Sequence, residues 1–411
     1  MDMTCPVCGL ACDDLKVLRE GDALRLAPEV CTLAADFLRR ASADTPPEPR
    51  LRDQPVTLET ALDRAGELLT AASAPLVAGL AVDVAGMRAA VQLAERCGAA
   101  LDHLHGDALA RNLRLMQDSG GFTTTFSEVR NHADCIVLVG SAQVLYRFPR
   151  FVERVLAPPG EFVSGRRQLF HVGPVEAVTE PTAPFERTTI PVALADSADL
   201  ANWLNATIAG HAVDHPPLWL ASETGATLLH ALETAHYTVI LWDAAEFDFP
   251  HAELVLEAWS RLARDLNRQR RAAAMPLGGG LGGVTAQQVC TWQTGVPLRS
   301  VFASGAPVHD PWRHDGSRML AADEADLLLW LNPLEPAPPP LTRAPVIVLG
   351  HPATPATPEV FIPVGIPAVD HAGHCFRADG VVTLPLRALR APRQPPLAAV
   401  VAQLLRRLPP C

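Results

Sequence analysis

Lysine is almost missing from this 411-residue chain. Lys16 stands alone, and the other basic residues are arginines. Such a skew reads as coding bias rather than chemistry. Charge is also scarce: Asp, Glu, Lys and Arg make up 19% of residues, against roughly 25% in an average soluble protein, and the balance is −11. That excludes a nucleic-acid binder that relies on a global basic field. No apolar run approaches the ~18 residues of a membrane-spanning helix. The first residues, Met1-Asp2-Met3-Thr4-Cys5, lack the basic and apolar regions of a secretion signal. A cytoplasmic protein is therefore expected, with contact to neither nucleic acid nor membrane. In a reducing compartment its nine cysteines read as thiols or metal ligands before disulfides. What is abundant is apolar: 48% hydrophobic residues exclude a disordered chain. The length suits two to four domains or one large α/β body.

Short apolar runs alternate with helical stretches. Pro75 to Val84, Asp134 to Gly140, Gln168 to Gly173, Leu218 to Ser222, Thr238 to Asp243, Leu327 to Asn332 and Val346 to Gly350 read as strands. Leu58 to Thr70, Met87 to Cys97, Ala252 to Arg271 and Val400 to Leu408 read as helices. This alternation predicts a mostly parallel, doubly wound α/β sheet, and the repeated strand–glycine endings suggest two such units. The expected division is a cysteine-rich N-terminal unit over 1–50, a first α/β unit over 51–135 joined by 341–411, and a second over 136–340. Thr45 to Pro55 is proline-rich and polar, and reads as a linker.

The strongest chemical signal is Cys5-x2-Cys8-x3-Cys12, followed by Cys31. Short spacings wrap three thiolates around one face of a metal, and the distant fourth closes the cage. Gly9 lets the backbone turn between ligands. Four such donors suit an iron–sulfur cluster or a tetrahedral zinc, and spacing alone does not choose between them. The competing interpretation is a set of buried thiols.

Cys5-Pro6-Val7-Cys8-Gly9-Leu10-Ala11-Cys12-Asp13-Asp14-Leu15 resembles the N-terminus of the B subunit of formylmethanofuran dehydrogenase, a molybdenum/tungsten bis-pterin oxidoreductase. Similar blocks continue along the chain: Ser127 to Asp134 before the central strand, Thr291-Trp292-Gln293-Thr294-Gly295 preceded by the Gly278–Gly283 run, and Phe376 to Val381 with its arginine–aspartate turn. The resemblance implies Rossmann-like units, a [4Fe–4S] cluster on Cys5, Cys8, Cys12 and Cys31, and cofactor contacts at Gly140, Ser141, Gly279, Gly280 and Arg377.

Departures from the family pattern are as informative. A metal-ligating cysteine precedes a His-Gly pair in the catalytic subunit, whereas here Leu104 precedes His105-Gly106. Leucine has no lone pair for tungsten or molybdenum. The family's Gly-Ser-Asn turn reads Gly140-Ser141-Ala142, and its His-Pro-Arg-His block reads Phe148-Pro149-Arg150-Phe151. Apolar groups do not stabilise a charged pterin diphosphate. The expected site is therefore degenerate, centred on Leu104 with His105, Ser141 and Arg150 as neighbours, and without a molybdenum or tungsten pterin. This pattern resembles the B subunit of the bacterial formyltransferase/hydrolase complex, which serves tetrahydromethanopterin-linked one-carbon oxidation to formate. It implies a non-redox subunit with an amidohydrolase-type hydrolase, a formyltransferase and a C subunit as partners, and a formyl carrier nearby. Two other functions compete: a working dehydrogenase subunit, and a zinc-stapled binding module.

Other groups rank lower. The Gly278–Gly283 run suits a phosphate cradle or a tight loop. His309, Asp310, His314 and Asp315, and likewise Asp370, His371 and His374, lie close in sequence but in loops where solvated polar residues are usual. Arg268, Arg270 and Arg271 end an expected helix, where cations suit the dipole. Cys97, Cys135 and Cys290 read as core thiols.

Overall fold

The computed structural model describes every residue except 43–47, 142, 158–159, 164, 176–185, 214 and 410–411. It divides into two compact units, one formed by 1–107 with 279–411 and the other by 108–278.

The first unit holds a nine-stranded sheet. Its parallel centre runs Ala100–Leu101, Pro75–Gly79, Leu327–Asn332, Val346–Gly350, Val360–Pro363. Leu327 to Leu331 are buried on both faces, as a parallel strand covered by helices requires. Helices start where capping is available: the Thr57 hydroxyl accepts from Thr60 N–H at 3.2 Å, and the Asp83 carboxylate from Gly86 N–H at 2.9 Å. A three-stranded antiparallel sheet (Asp2–Met3, Leu15–Glu20, Ala23–Leu26) and the helix Thr32–Ala41 carry the N-terminal cysteines. A hairpin, Gly373–Phe376 with Thr383–Leu386, completes the unit.

The second unit is an all-parallel five-stranded sheet in the order Glu186–Pro191, Gln168–Gly173, Cys135–Val139, Tyr237–Asp243, Arg271–Leu277. The chain starts at the central strand, moves outwards, then returns to the other side. Strand order thus reverses between Cys135–Val139 and Tyr237–Asp243, which places a crevice at their carboxyl ends. Trp242 and Trp259 fill the core, with their indole N–H groups satisfied by Asn112 at 3.0 Å and Ser197 at 3.2 Å.

Several expectations need correction. Cys135–Val139 pairs with Tyr237–Asp243, and Leu327–Asn332 with Pro75–Gly79. The units therefore divide at Asp107/Ala108 and Gly278/Gly279, not at 135/136 and 340/341, and residues 1–42 belong with the first unit. Leu218 to Ser222 is no strand: Pro216 and Pro217 withhold ladder donors, Leu220 N–H turns back to Pro217 C=O, and Ser222 opens a helix. The helix from Ala252 stops at Leu266, and Arg271 already begins a strand. Of the expected linker, residues 45–47 lie outside the described residues, while Arg50–Leu51 and Gln54–Pro55 form a hairpin at the sheet edge.

Truncating Leu329, wholly buried in the centre of the first sheet, should cost about 3 kcal/mol in the Leu329→Ala variant. Urea unfolding of the two proteins measures it.

Candidate functional site

The segment 4–14 loops between two paired strands. Cys5 N–H donates to Cys12 C=O at 2.9 Å and closes the loop. Gly9 at φ +87° and Ala11 at φ +49° turn it through the left-handed region, without penalty for glycine and at some cost for alanine. Cys31 follows at the start of the helix Thr32–Ala41. Cys5, Cys12 and Cys31 are buried and Cys8 is half-buried. Burial pushes the Cys5 thiol well up, and the neighbouring Cys8, Cys12 and Cys31 push it further. Cys8 is pushed up to about 12, again by burial first. The four thiols thus form one interacting group, and four soft sulfur donors are the right chemistry for a cluster or zinc. Among the described residues, however, no three His, Cys, Asp or Glu side chains converge closely enough to hold a metal ion.

Two loops dock onto this one by backbone contact. Leu281 N–H donates to Val7 C=O at 2.6 Å, and a Cβ on Gly280 would lie 2.7 Å from that same oxygen. A Cβ on Gly279 would fall 2.3 Å from the Val284 side chain. The N–H groups of Leu281, Gly283 and Val284 all donate to backbone carbonyls. The glycine run packs closely against its neighbours, and these three N–H groups are not left for a phosphate. On the other side, Ala378 N–H donates to Gly9 C=O at 2.7 Å. Arg377 grips Asp379 through Nε and Nη2 at 2.6–3.0 Å and fixes that turn.

Leu104 lies in a clamped loop. Its N–H donates to Gly79 C=O at 2.9 Å, and its side chain packs on the apolar cluster of Leu76, Ala78, Ala100 and Trp330. His105 N–H donates to His103 Nδ1 at 3.0 Å, which leaves Nε2 as the protonated nitrogen facing Leu281 C=O at 3.3 Å. Burial pushes His103 down to about 3, so the ring is neutral. Asp102 holds the loop by accepting from His103 and Gly316 N–H, both at 2.8 Å, and by facing Arg299 at 3.4 Å. Arg299 also pairs with Asp107 at 2.5 Å and Asp315 at 2.6 Å.

In the second unit, Gly140 and Ser141 end the central strand. Ser141 N–H and Oγ donate to the two oxygens of Glu246 at 2.6 and 2.7 Å. Arg147 reaches Glu246 at 2.6 Å through Nη2 and Asp243 at 2.7 Å through Nε. Both carboxylates are more than nine-tenths buried. Burial, more than any neighbour, pushes Glu246 up. Ala142 lies outside the described residues. Phe148 and Phe151 are buried, the latter edge-on to Phe126 at 5.8 Å. Arg150 is buried and paired with Glu153 at 2.7 Å.

No protein-family model matches the chain. Against curated proteins, it is 32% identical over 327 residues to the B subunit of the formyltransferase/hydrolase complex Fhc of Methylorubrum extorquens, covering 77% of this chain and 84% of that protein. The chain belongs to the family of the Fhc and formylmethanofuran dehydrogenase B subunits. A second family member, the B subunit of tungsten-containing formylmethanofuran dehydrogenase 2 of Methanocaldococcus jannaschii, is 27% identical over 403 residues, 92% of this chain and 91% of that protein. Among solved structures, a chain of the formyltransferase/hydrolase complex FhcABCD from M. extorquens, in complex with methylofuran, superposes with a TM-score of 0.74 at 28% identity. It covers 87% of this chain and 98% of its own.

Within this family member, the sequence-derived candidates fall into three places. Cys5, Cys8, Cys12 and Cys31 share one locus with Gly279, Gly280 and Arg377. Leu104 and His105 sit in the Asp102–Arg299 loop. Gly140 and Ser141 end the central strand of the second unit, where sequence reasoning missed Glu246, Asp243 and Arg147. Glu246 is 105 residues from Ser141 in the chain, and no local motif announces it. Some members of the lower-ranked groups have structural partners. Asp315 caps the helix Gly316–Ala321, and Asp370 pairs with buried Arg390 at 2.7 Å. Arg271 pairs with Glu128 and lies over the Tyr237 ring. Burial pushes Cys135 and Cys290 up to about 12, which keeps them inert.

Two outcomes follow. In the metal-free chain, Cys5 and Cys8 should alkylate at pH 7.5 at least about a hundredfold more slowly than an exposed cysteine, because so little thiolate is present; mass-resolved labelling with iodoacetamide reads this. Asp102 is pushed up to about 6 by burial, against about 3.9 in an unfolded chain. Between those values the folded form holds the extra proton. Its contribution to stability is thus full below about pH 4 and lost as pH rises through 6. From pH 4.5 to 7, the melting temperature should fall by more in the wild type than in Asp102→Asn, all other groups being shared.

Proposed function

We propose that this chain is the non-redox, structural B subunit of a formyltransferase/hydrolase complex in tetrahydromethanopterin-linked one-carbon metabolism. The observation that carries the reading is Leu104. Where the family resemblance assigns a metal-ligating thiolate, this chain offers an aliphatic side chain packed against an apolar cluster of the first unit. Hydrocarbon donates no electron pair to tungsten or molybdenum. Two features of the second unit point the same way. Phe148 and Phe151 bury rings where the pattern expects imidazoles, and the strand-end donors of Ser141 already bind a carboxylate of the chain itself.

On this reading the two units are Rossmann-like remnants of a bis-pterin fold, kept for assembly. The partners are an amidohydrolase-type hydrolase, a formyltransferase and a C subunit, which carry the formyl-group chemistry, with the formyl carrier nearby. No helix among the described residues is long and apolar enough to cross a membrane.

On the family resemblance alone, Cys5, Cys8, Cys12 and Cys31 would hold a [4Fe–4S] cluster: they supply four soft donors, but as they stand no three of them converge closely enough to hold a metal ion, so binding requires them to draw together. When bound, such a cluster supplies one-electron transfer. The chain's own residues set its surroundings: Gly280 lets the neighbouring loop approach the Val7 carbonyl, and Arg377 with Asp379 fixes the turn that bonds to Gly9. Anaerobically purified protein should then be brown, with about four irons and four sulfides per chain. Colourless protein with a single zinc would contradict the cluster assignment.

The purified complex should transfer and hydrolyse formyl groups yet show no viologen-linked oxidation of the formyl carrier. Viologen reduction with that carrier would return the dehydrogenase function of the tungsten-containing relatives.

A further inference from the structure

The carboxyl end of the second unit's central strand carries a complete oxyanion cradle. Its donors are Ser141 N–H, Ser141 Oγ–H and the Arg147 guanidinium. A backbone amide, a hydroxyl and a guanidinium aimed at one point are the groups that hold a phosphate or carboxylate at a strand-to-helix junction. They stand where strand order reverses, the position at which open α/β sheets take their ligands. Gly140 completes the cradle by what it lacks: a Cβ there would lie 2.7 Å from the oxygen bound by the Ser141 amide.

All three donors converge on Glu246. Oε2 accepts from Ser141 N–H at 2.6 Å, and Oε1 from Ser141 Oγ at 2.7 Å and Arg147 Nη2 at 2.6 Å. Two oxygens of one carboxylate thus satisfy the set. The short helical turn Ala244–Glu246 delivers this side chain, and Asp243 anchors the turn by accepting from Ala245 N–H at 3.0 Å. Asp243 also takes Arg147 Nε, so the guanidinium is held on its other edge. Asp243 and Arg147 are the charged groups facing the cradle.

The geometry points to Glu246 as an internal anion that plugs an oxyanion-binding site, the class of ligand being a phosphate or small carboxylate. This deepens the non-redox reading above and rests on it: the cradle is not lost in this chain but is filled from within. An external anion would have to displace a tethered carboxylate at very high effective concentration, with Asp243 repelling it. The intact chain therefore binds no free oxyanion here. Removing the plug restores the site.

The test is chemical rescue of full-length protein. Glu246→Ala should melt several degrees below the wild type, because the buried Ser141 amide and hydroxyl lose their acceptor. Acetate or inorganic phosphate at 100 mM, with ionic strength matched by chloride, should raise the melting temperature of E246A by about 3 °C, as a site with a Kd near 10 mM would. The wild type should not respond. The double variant Glu246→Ala/Ser141→Ala should lose the rescue. Glu246→Gln, which keeps the volume filled, should not be rescued. If E246A is insoluble, refolding yield in acetate against chloride replaces the melting temperature. Equal responses of wild type, E246Q and E246A to acetate and phosphate would overturn the proposal, as would a folded E246A indifferent to both. Failure here leaves the metal content of the complex untouched. Conversely, tungsten in the complex would sink the non-redox reading while the rescue remains measurable.

Discussion

A buried donor at the carboxyl end of a parallel strand must be given an acceptor, and in the second unit the acceptor is part of the chain. Leaving the buried Ser141 amide or hydroxyl unmet would cost on the order of 1–3 kcal/mol each, whereas the exposed Arg147 guanidinium would turn to water. The sheet topology creates the position, and the Ser141 turn and Arg147 supply the donors. Ala244–Glu246 then bends a carboxylate back onto them. The demand is met by Glu246.

The first unit reaches a comparable end by different means. Its cysteine loop is held by backbone hydrogen bonds from Leu281 and Ala378, and the approach is close enough to exclude a side chain at Gly280. Its Leu104 loop is held by Asp102, Arg299 and Asp315. Within that clamped loop the side chain at the position of the expected ligand is aliphatic and joins the hydrocarbon layer.

Much of this was legible in the sequence, for physical reasons. Runs such as Cys135–Val139 and Leu327–Leu331 are apolar at every position because both sheet faces are covered, so they stand out as strands. The four cysteines declare a thiol locus by spacing alone. Leu104 reads as an aliphatic residue where the resemblance assigns a ligand, because the His-Gly pair beside it fixes the register. Other features were not readable. Glu186–Pro191 carries Arg187, Thr188 and Thr189 on an edge strand and lacks a hydrophobic run. Arg271–Leu277 opens with three successive alanines after Arg271 and lacks a run of large apolar residues, so it does not stand out as a strand, and Arg271 itself reads as the end of the preceding helix. The division of units depends on which strands pair, and pairing is a long-range property. Glu246 was invisible for the same reason: an isolated glutamate acquires meaning only when the sheet brings it to Ser141.

The central claim is that no tungsten or molybdenum resides in this chain, and elemental analysis of the anaerobically purified complex tests it most directly. The account requires both metals at well under 0.1 per chain, even from cells grown with excess tungstate and molybdate. One equivalent of either, together with a released pterin, would contradict it.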